Sequence, residues 1–312
     1  MTIPEFSVIV PLYNKAAHIV DTLNSVRAQT LPPKEVIVVD DGSTDQGADR
    51  VETLIQEGFP GLKLIRQVNG GVSVARNTGI AASSSDYVAF LDGDDLWLPE
   101  LLAEMAQLIK DFPEAGGFST AFAHFTPAGS ITPIQPHFPA RYQKQTRFLY
   151  DYFEAAATGE LPAMTSATCI PKRVLNEVGG FPPREKIGED QDVWIRVGQR
   201  YSFAYSRRVC MHYLIEAENR ASVMHVPECE CPFSLRLKNY AESSGDPRRE
   251  LMLKLTANHL LHLAQLNIRA RKFPVARRLL AEQRTWMLPL RRIKWEVAFW
   301  FARCGLMFRR SA

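Results

Sequence analysis

Residues 87–95 read YVAFLDGDD, a short apolar run that ends abruptly in acids. Residues 35–45, EVIVVDDGSTD, repeat that design, and residues 6–15, FSVIVPLYNK, share the apolar run and its polar ending. Tyr87–Leu91, Glu35–Val39 and Phe6–Val10 are β-rich and nearly uninterrupted by polar residues, so they read as strands buried on both faces. Helical patterns lie between them. Ile19, Leu23 and Val26 mark one over 15–30; others are predicted over 47–57 and from Gly70-Gly71 to about Ala82. A short strand is expected at Leu62–Arg66, and Pro99 sits where a further helix should begin. Strands alternating with helices give an α/β fold, with a mainly parallel sheet and helices on both faces. Ligands of such sheets sit beyond the carboxyl ends of the strands. Here those ends carry Pro11–Asn14, Asp40–Asp45 and Asp92–Asp95.

The 312 residues are 46% hydrophobic and 23% charged, ordinary globular values that exclude a disordered chain. Net charge is +3, but it is unevenly placed: residues 233–312 hold 17 Lys and Arg against 5 Asp and Glu. A basic tail on an acidic body points to an anionic partner. Five cysteines do not make a disulfide scaffold, and a reducing compartment, the cytoplasm, is the simpler reading. Residues 1–6 lack the pattern of a secretory signal. No run of about 18 apolar residues predicts a spanning helix.

Beyond residue 116 the pattern loosens. Loops, one or two strands and a short helix near 146–157 are expected, then a helix over 172–178 and a strand over 203–215. From about 233 the chain reads as helical, interrupted at Pro247, Pro274 and Pro289, with a helical hairpin over 250–283. The expected division is therefore 1–232 and 233–312, a C-terminal helical appendage.

Asp92, Asp94 and Asp95 repel one another unless a cation or hydrogen-bond donors compensate. Mg²⁺ or Mn²⁺ could do so, using one or two carboxylates together with substrate phosphates. Alone, the cluster reads first as a solvated turn, since acids at turns are common, and second as a metal–diphosphate site. It is not alone. FSVIVPLYNK, VIVVDDGSTD, GGVSVARNTGI, YVAFLDGDD, and GGF followed by GEDQDVWIR occur in this order. Over about residues 5–215 the series resembles the family 2 glycosyltransferases of GT-A fold.

That resemblance implies a nucleotide-diphospho-sugar donor (UDP-sugar favoured), a divalent Mn²⁺ or Mg²⁺, and transfer with inversion. It implies that Pro11, Tyr13 and Asp41 face the nucleoside, that Arg76 contacts the donor, that Asp94 binds the metal and that Asp92 binds the donor, beside the ribose or just behind the metal ligand. A ring such as Tyr13 can stack on a base and a carboxylate such as Asp41 can accept from a base N–H. Asp95 is expected to be structural. Direct displacement needs a base for the acceptor hydroxyl; by resemblance it is Asp190, the second of the Glu189-Asp190 pair, with Asp192 as runner-up. The Gln-x-x-Arg-Trp signature of processive members is absent, which favours transfer of one sugar. Two other readings fit the same scaffold less well: a non-catalytic binding or assembly protein, and a nucleotidyltransferase, whose phosphate loop PLYNK does not resemble.

Smaller signals carry less. Cys229-x-Cys231 lacks a second pair at zinc-site spacing and reads as free thiols. His212 and His225 are candidate phosphate-side groups or structural histidines, and His259 and His262 read as a mixed polar helix face. No nucleic-acid partner is indicated. The acceptor should be a glycan or lipid-linked glycan of cell-surface polysaccharide or lipopolysaccharide. Residues 290–310 mix Trp295, Phe299, Trp300, Phe301, Leu306 and Phe308 with six Lys and Arg. A membrane interface and a helix packed on the catalytic domain fit that mixture about equally, and the aromatic density favours peripheral attachment to a cytoplasmic membrane face.

Overall fold

The computed structural model describes residues 3–126, 128–134, 136–185, 187–215 and 226–304. The chain forms two compact units, Met1–Ala155 with Leu161–Asn219, and Ala156–Glu160 with Arg220–Ala312.

The first unit begins as the sequence predicts, with β1 (Phe6–Leu12), α1 (Ile19–Arg27), β2 (Glu35–Asp40), α2 (Gly47–Gln56), β3 (Leu62–Arg66), α3 (Val72–Ala82) and β4 (Tyr87–Phe90). There follow β5 (Leu96–Trp97), α4 (Leu101–Asp111), β6 (Gly117–Phe125), β7 (Ile131–Ile134), β8 (Arg147–Tyr150), α5 (Tyr152–Ala156), β9 (Thr168–Pro171), α6 (Lys172–Val178), α7 (Glu189–Gly198) and β10 (Phe203–Leu214). Among the described residues these strands make one sheet, ordered β3-β2-β1-β4-β9-β6-β10-β5, with β7 on β6 and β8 on β10. The run β3-β2-β1-β4 is parallel, with Leu12 opposite Asp40 and Ile9 opposite Phe90. β9 enters antiparallel between β4 and β6, while β6 and β10 run parallel.

The apolar strands are buried on both faces for the reason their composition gave. Val36 and Val38 join the large core cluster with Leu23, Val26 and Leu54, whereas Ile37 and Val39 pack with Ala75 of α3 on the other side. The two-residue period of a strand sends alternate side chains to opposite layers.

The helix expected near 146–157 is corrected in part. Residues 147–150 are strand, and only Tyr152–Ala156 is helical. Their alternation decides it: Phe148 and Tyr150 are buried against Phe138 and Tyr205, while Arg147 reaches Glu104 through two hydrogen bonds of 2.6 and 2.9 Å.

The second unit is helical: α8 (Pro232–Ser243), α9 (Arg249–Arg269), α10 (Phe273–Ala281) and α11 (Pro289–Arg303). Pro232, Pro274 and Pro289 each occupy a first helical turn, where a missing N–H costs nothing. Leu260, Leu263, Ala264, Leu279, Leu280 and Phe299 form its core. The predicted boundary at 232 falls too late. Residues 227–231 belong to the helical unit because their backbone and acids are tied to it. Asn267 donates to the Pro227 carbonyl at 2.9 Å, Lys272 pairs with Glu228 at 2.7 Å, and Arg284 grips both Glu230 oxygens at 2.7 and 2.6 Å. His259 does not lie on a solvated polar face. It packs on Phe233, accepts from the Cys231 N–H at 3.2 Å, and burial pushes it down to about 4. Cys229 is an exposed free thiol, and Cys231 is buried. No helix among the described residues is long and apolar enough to cross a membrane.

Candidate active site

β1, β2 and β4 are adjacent and parallel, so their carboxyl ends share one edge of the sheet. Asp41 N–H donates to the Leu12 carbonyl at 2.8 Å, and Leu91 N–H to that of Ile9 at 3.0 Å. Much of the polar chemistry of these ends is spent on shaping the loops. Asn14, at φ 51°, donates from its backbone to Ser43 Oγ and accepts from Thr44 N–H with its side chain. Asp45 accepts from Ala16 N–H at 2.8 Å and Gly47 N–H at 2.9 Å, so it serves the start of α2 as an acid at a helix N-terminus should. Asp40 accepts from Ser43 N–H.

Asp41 is buried and accepts from Gln67 Nε2, Gly70 N–H and Gly71 N–H at 2.7, 2.8 and 2.7 Å. Gly71 has φ +88°, a backbone angle that L side chains rarely adopt. A carboxylate has about four acceptor positions, so three bonds leave Asp41 one more. Tyr13 is half exposed, and Pro11 is partly buried.

Arg76 of α3 is the hub. Its guanidinium is buried, with one nitrogen 2.7 Å from Asp92 Oδ1 and another 2.9 Å from Glu189 Oε1, and it lies 5.1 Å from the Phe181 ring centroid. The neighbouring Asn77 clamps the Gly-Gly-Phe turn: it donates to the Phe181 carbonyl and accepts from Phe181 N–H, both at 2.8 Å. Gly180 is required there, at φ +66°, because a Cβ would lie 2.6 Å from Asn77 Oδ1. This clamp carries α7 to the strand ends. Asp192, the runner-up base, is tied into α7 through Arg196 at 2.7 Å, and Arg196 also donates to the Gly180 carbonyl.

Asp190 is partly buried, accepts from Thr165 Oγ1 at 3.2 Å, and has its carboxyl raised mainly by burial. Glu189 is pushed up to about 7, by burial first and by the Asp190 charge second, while Arg76 pulls it down. A carboxyl that titrates higher in the folded protein than in the unfolded chain contributes stability at low pH. That contribution is whole below the ordinary carboxylate range and is lost as pH rises through about 7. The wild-type denaturation midpoint should therefore fall between roughly pH 4.5 and 7, and Glu189→Gln should flatten that fall. Parallel curves for the two proteins would contradict this.

Asp94 Oδ2 lies 2.7 Å from Lys15 Nζ. Asp95 is buried, accepting from Ser166 Oγ at 2.5 Å and Leu214 N–H at 3.3 Å, and thus fixes the turn rather than facing a ligand. Among the described residues no three His, Cys, Asp or Glu converge for a metal ion. The donors present nevertheless fit a hard cation shared with a diphosphate, which needs only one or two carboxylates, and Asp94 already holds a cationic group. His212 stacks on Phe125 and is lowered by burial. His225 lies outside the described residues. Lys15, Asn77, Thr165 and Ser166 were not singled out from sequence. Lys15 closes the PLYNK segment and was legible, whereas nothing near 165–166 marks those hydroxyls.

A model of family 2, described as "Glycosyl transferase family 2", matches residues 7–165. The chain belongs to that family. The family match includes Pro11, Tyr13, Asp41, Arg76, Asp92 and Asp94 and stops short of Asp190. Among curated relatives, the succinoglycan biosynthesis protein ExoW of Rhizobium meliloti is 42% identical over 35% of this chain and 35% of its own. A glycosyltransferase of Haemophilus influenzae is 29% identical over 63% of each. The first relatives are matched over only 27–35% of their length. The family 2 chain also shares the GT-A fold of S. aureus TarS, solved with UDP-GlcNAc, at TM-score 0.64 and 19% identity, covering 98% of this chain and 93% of TarS.

Proposed function

We propose that the protein transfers one sugar, with inversion, from a UDP-sugar to a hydroxyl of a glycan or lipid-linked glycan, in the cytoplasm, during synthesis of cell-surface polysaccharide or lipopolysaccharide. One observation supports this reading: Arg76 joins Asp92 at the β4 end to Glu189 at the start of α7, the residue next to Asp190. The UDP-GlcNAc bound by TarS supports the donor class, and the succinoglycan biosynthesis of ExoW supports the polysaccharide setting.

In this reading Tyr13 stacks on the base and Asp41 uses its remaining acceptor position for a base N–H. Asp94, backed by Asp92, would hold Mn²⁺ or Mg²⁺, which when bound offsets the charge of the diphosphate leaving group. Lys15 and Arg76 supply fixed positive charge to the same edge. Asp190 takes the proton of the acceptor hydroxyl as its oxygen bonds to the anomeric carbon. The bond from that carbon to the diphosphate oxygen breaks on the opposite side. Burial suits Asp190 to this task because a base with a raised pKa holds the proton it removes more firmly.

The test is thermal unfolding with UDP, GDP, CDP and dTDP, each with and without Mn²⁺. A nucleotide at one hundred times its Kd adds about 2.7 kcal/mol. UDP with Mn²⁺ should raise Tm, and Asp94→Ala should abolish the metal-dependent part. No shift with any nucleotide would remove the donor site from this protein.

A further inference from the structure

Helix α11, Pro289–Arg303, is apolar on its outer side as well as its inner one, unlike an ordinary surface helix. Its inner side carries Ala298, Phe299 and Ala302, all buried. Its outer side carries Leu290, Ile293, Val297, Trp300 and Phe301. At about 100° per residue these five fall within an arc of about 120° that contains no charged residue until Lys294 at its margin. Leu290 is 84% exposed, and the other four are each exposed to about half. Trp286, in the turn before the helix, is also exposed. A helix facing only water would place polar residues on this arc.

Cations border the arc. Arg303 stacks on Trp300 at 5.5 Å. On the side of Arg303 an open groove runs between α10 and α11, where Arg277, Arg278 and Arg303 rise around Phe273 and Phe299. The wider segment 233–312 carries 17 Lys and Arg against 5 Asp and Glu. Apolar arc, interfacial tryptophans and flanking arginines are the features of a helix that lies in the headgroup layer of an anionic bilayer.

We infer that the outer face of α11 docks on an anionic membrane surface, with the aliphatic and aromatic arc at the acyl boundary and Arg277, Arg278 and Arg303 against lipid phosphates. This goes beyond the proposed donor chemistry and does not depend on it.

The test is sedimentation of the full chain with vesicles of phosphatidylcholine alone or with phosphatidylglycerol added. The wild type should partition at least about tenfold better onto the anionic vesicles and come off in high salt. Leu290→Ser/Val297→Ser/Phe301→Ser should lose about tenfold or more on those vesicles, because buried apolar area drives insertion. Arg277→Glu/Arg303→Glu should lose the preference for anionic lipid. These residues face outward, so both variants should keep the wild-type Tm and any nucleotide-induced shift; Leu290→Ser alone replaces the triple variant if that one unfolds. Failure of the wild type to sediment, or equal sedimentation of the serine variants, overturns the inference. So does a dimer, seen by ultracentrifugation without lipid, that the serine variants dissociate, since the arc would then be a contact between two copies.

Discussion

Asp190→Asn should lower the rate of sugar transfer by about 10³-fold, within the range for a lost general base, and leave nucleotide binding unchanged. The amide keeps the size of the side chain and can keep the contact with Thr165, but it cannot take a proton. Release of UDP from a UDP-sugar in the presence of acceptor reads the first effect, and the UDP-dependent rise in Tm reads the second. The separation matters: a variant that lost both would have lost the fold of the site. A variant that kept both would move the base elsewhere. Asp192 is a poor substitute, since its carboxylate is held by Arg196 within α7. The wild-type rate should also fall toward acid pH, because burial raises the pKa of Asp190 and its proton then blocks the base.

Arg76→Met should destabilise the protein by about 3 kcal/mol or more, the cost of removing one partner from a buried ion pair. The geometry explains why the effect is large. Arg76 is the cation between Asp92 and Glu189, at 2.7 and 2.9 Å, and its own side chain is 4% exposed. Without it, those carboxylates and the nearby Asp190 repel one another across a poorly solvated space. Asp92 keeps 28% side-chain exposure, so water softens part of the penalty and the lower end of the range applies. Arg76→Lys should fall between, since an ammonium cannot fork to both acids. Adding Glu189→Gln to Arg76→Met should recover a large part of the loss. Denaturant midpoints of the four proteins check this, and an Arg76→Met midpoint equal to wild type would mean the ion pairs contribute nothing to folding.

The parallel half of the sheet was legible because buried strands announce themselves. VIVV (36–39) and VAFL (88–91) have no polar position to place in water, and the acids that follow them can lie only at an end. The strand-end residues were legible for the same reason. Arg76 is expected from the resemblance to contact the donor, but nothing in the sequence marks Glu189 as its partner, since they are 113 residues apart. Residues 147–150 misled because RFLY suits either a short helix or a strand until Phe148 and Tyr150 find their aromatic partners. The unit boundary was misplaced because composition changes near 233, whereas the hydrogen bonds of residues 227–231 decide membership.

The two arms of Arg76 are unequal in the history of the chain. Its contact with Asp92 closes a loop of 16 residues and its contact with Glu189 one of 113. In a freely jointed unfolded chain the longer closure costs about 1.7 kcal/mol more. As the polypeptide leaves the ribosome, the short pairing is available as soon as β4 is out. The long one must wait for β6, β9 and α7, so Glu189 and Asp190 are the last carboxylates of this cluster to arrive. A nascent chain stalled before residue 189 would already hold the strand-end carboxylates Asp41, Asp92 and Asp94 while lacking Glu189 and Asp190.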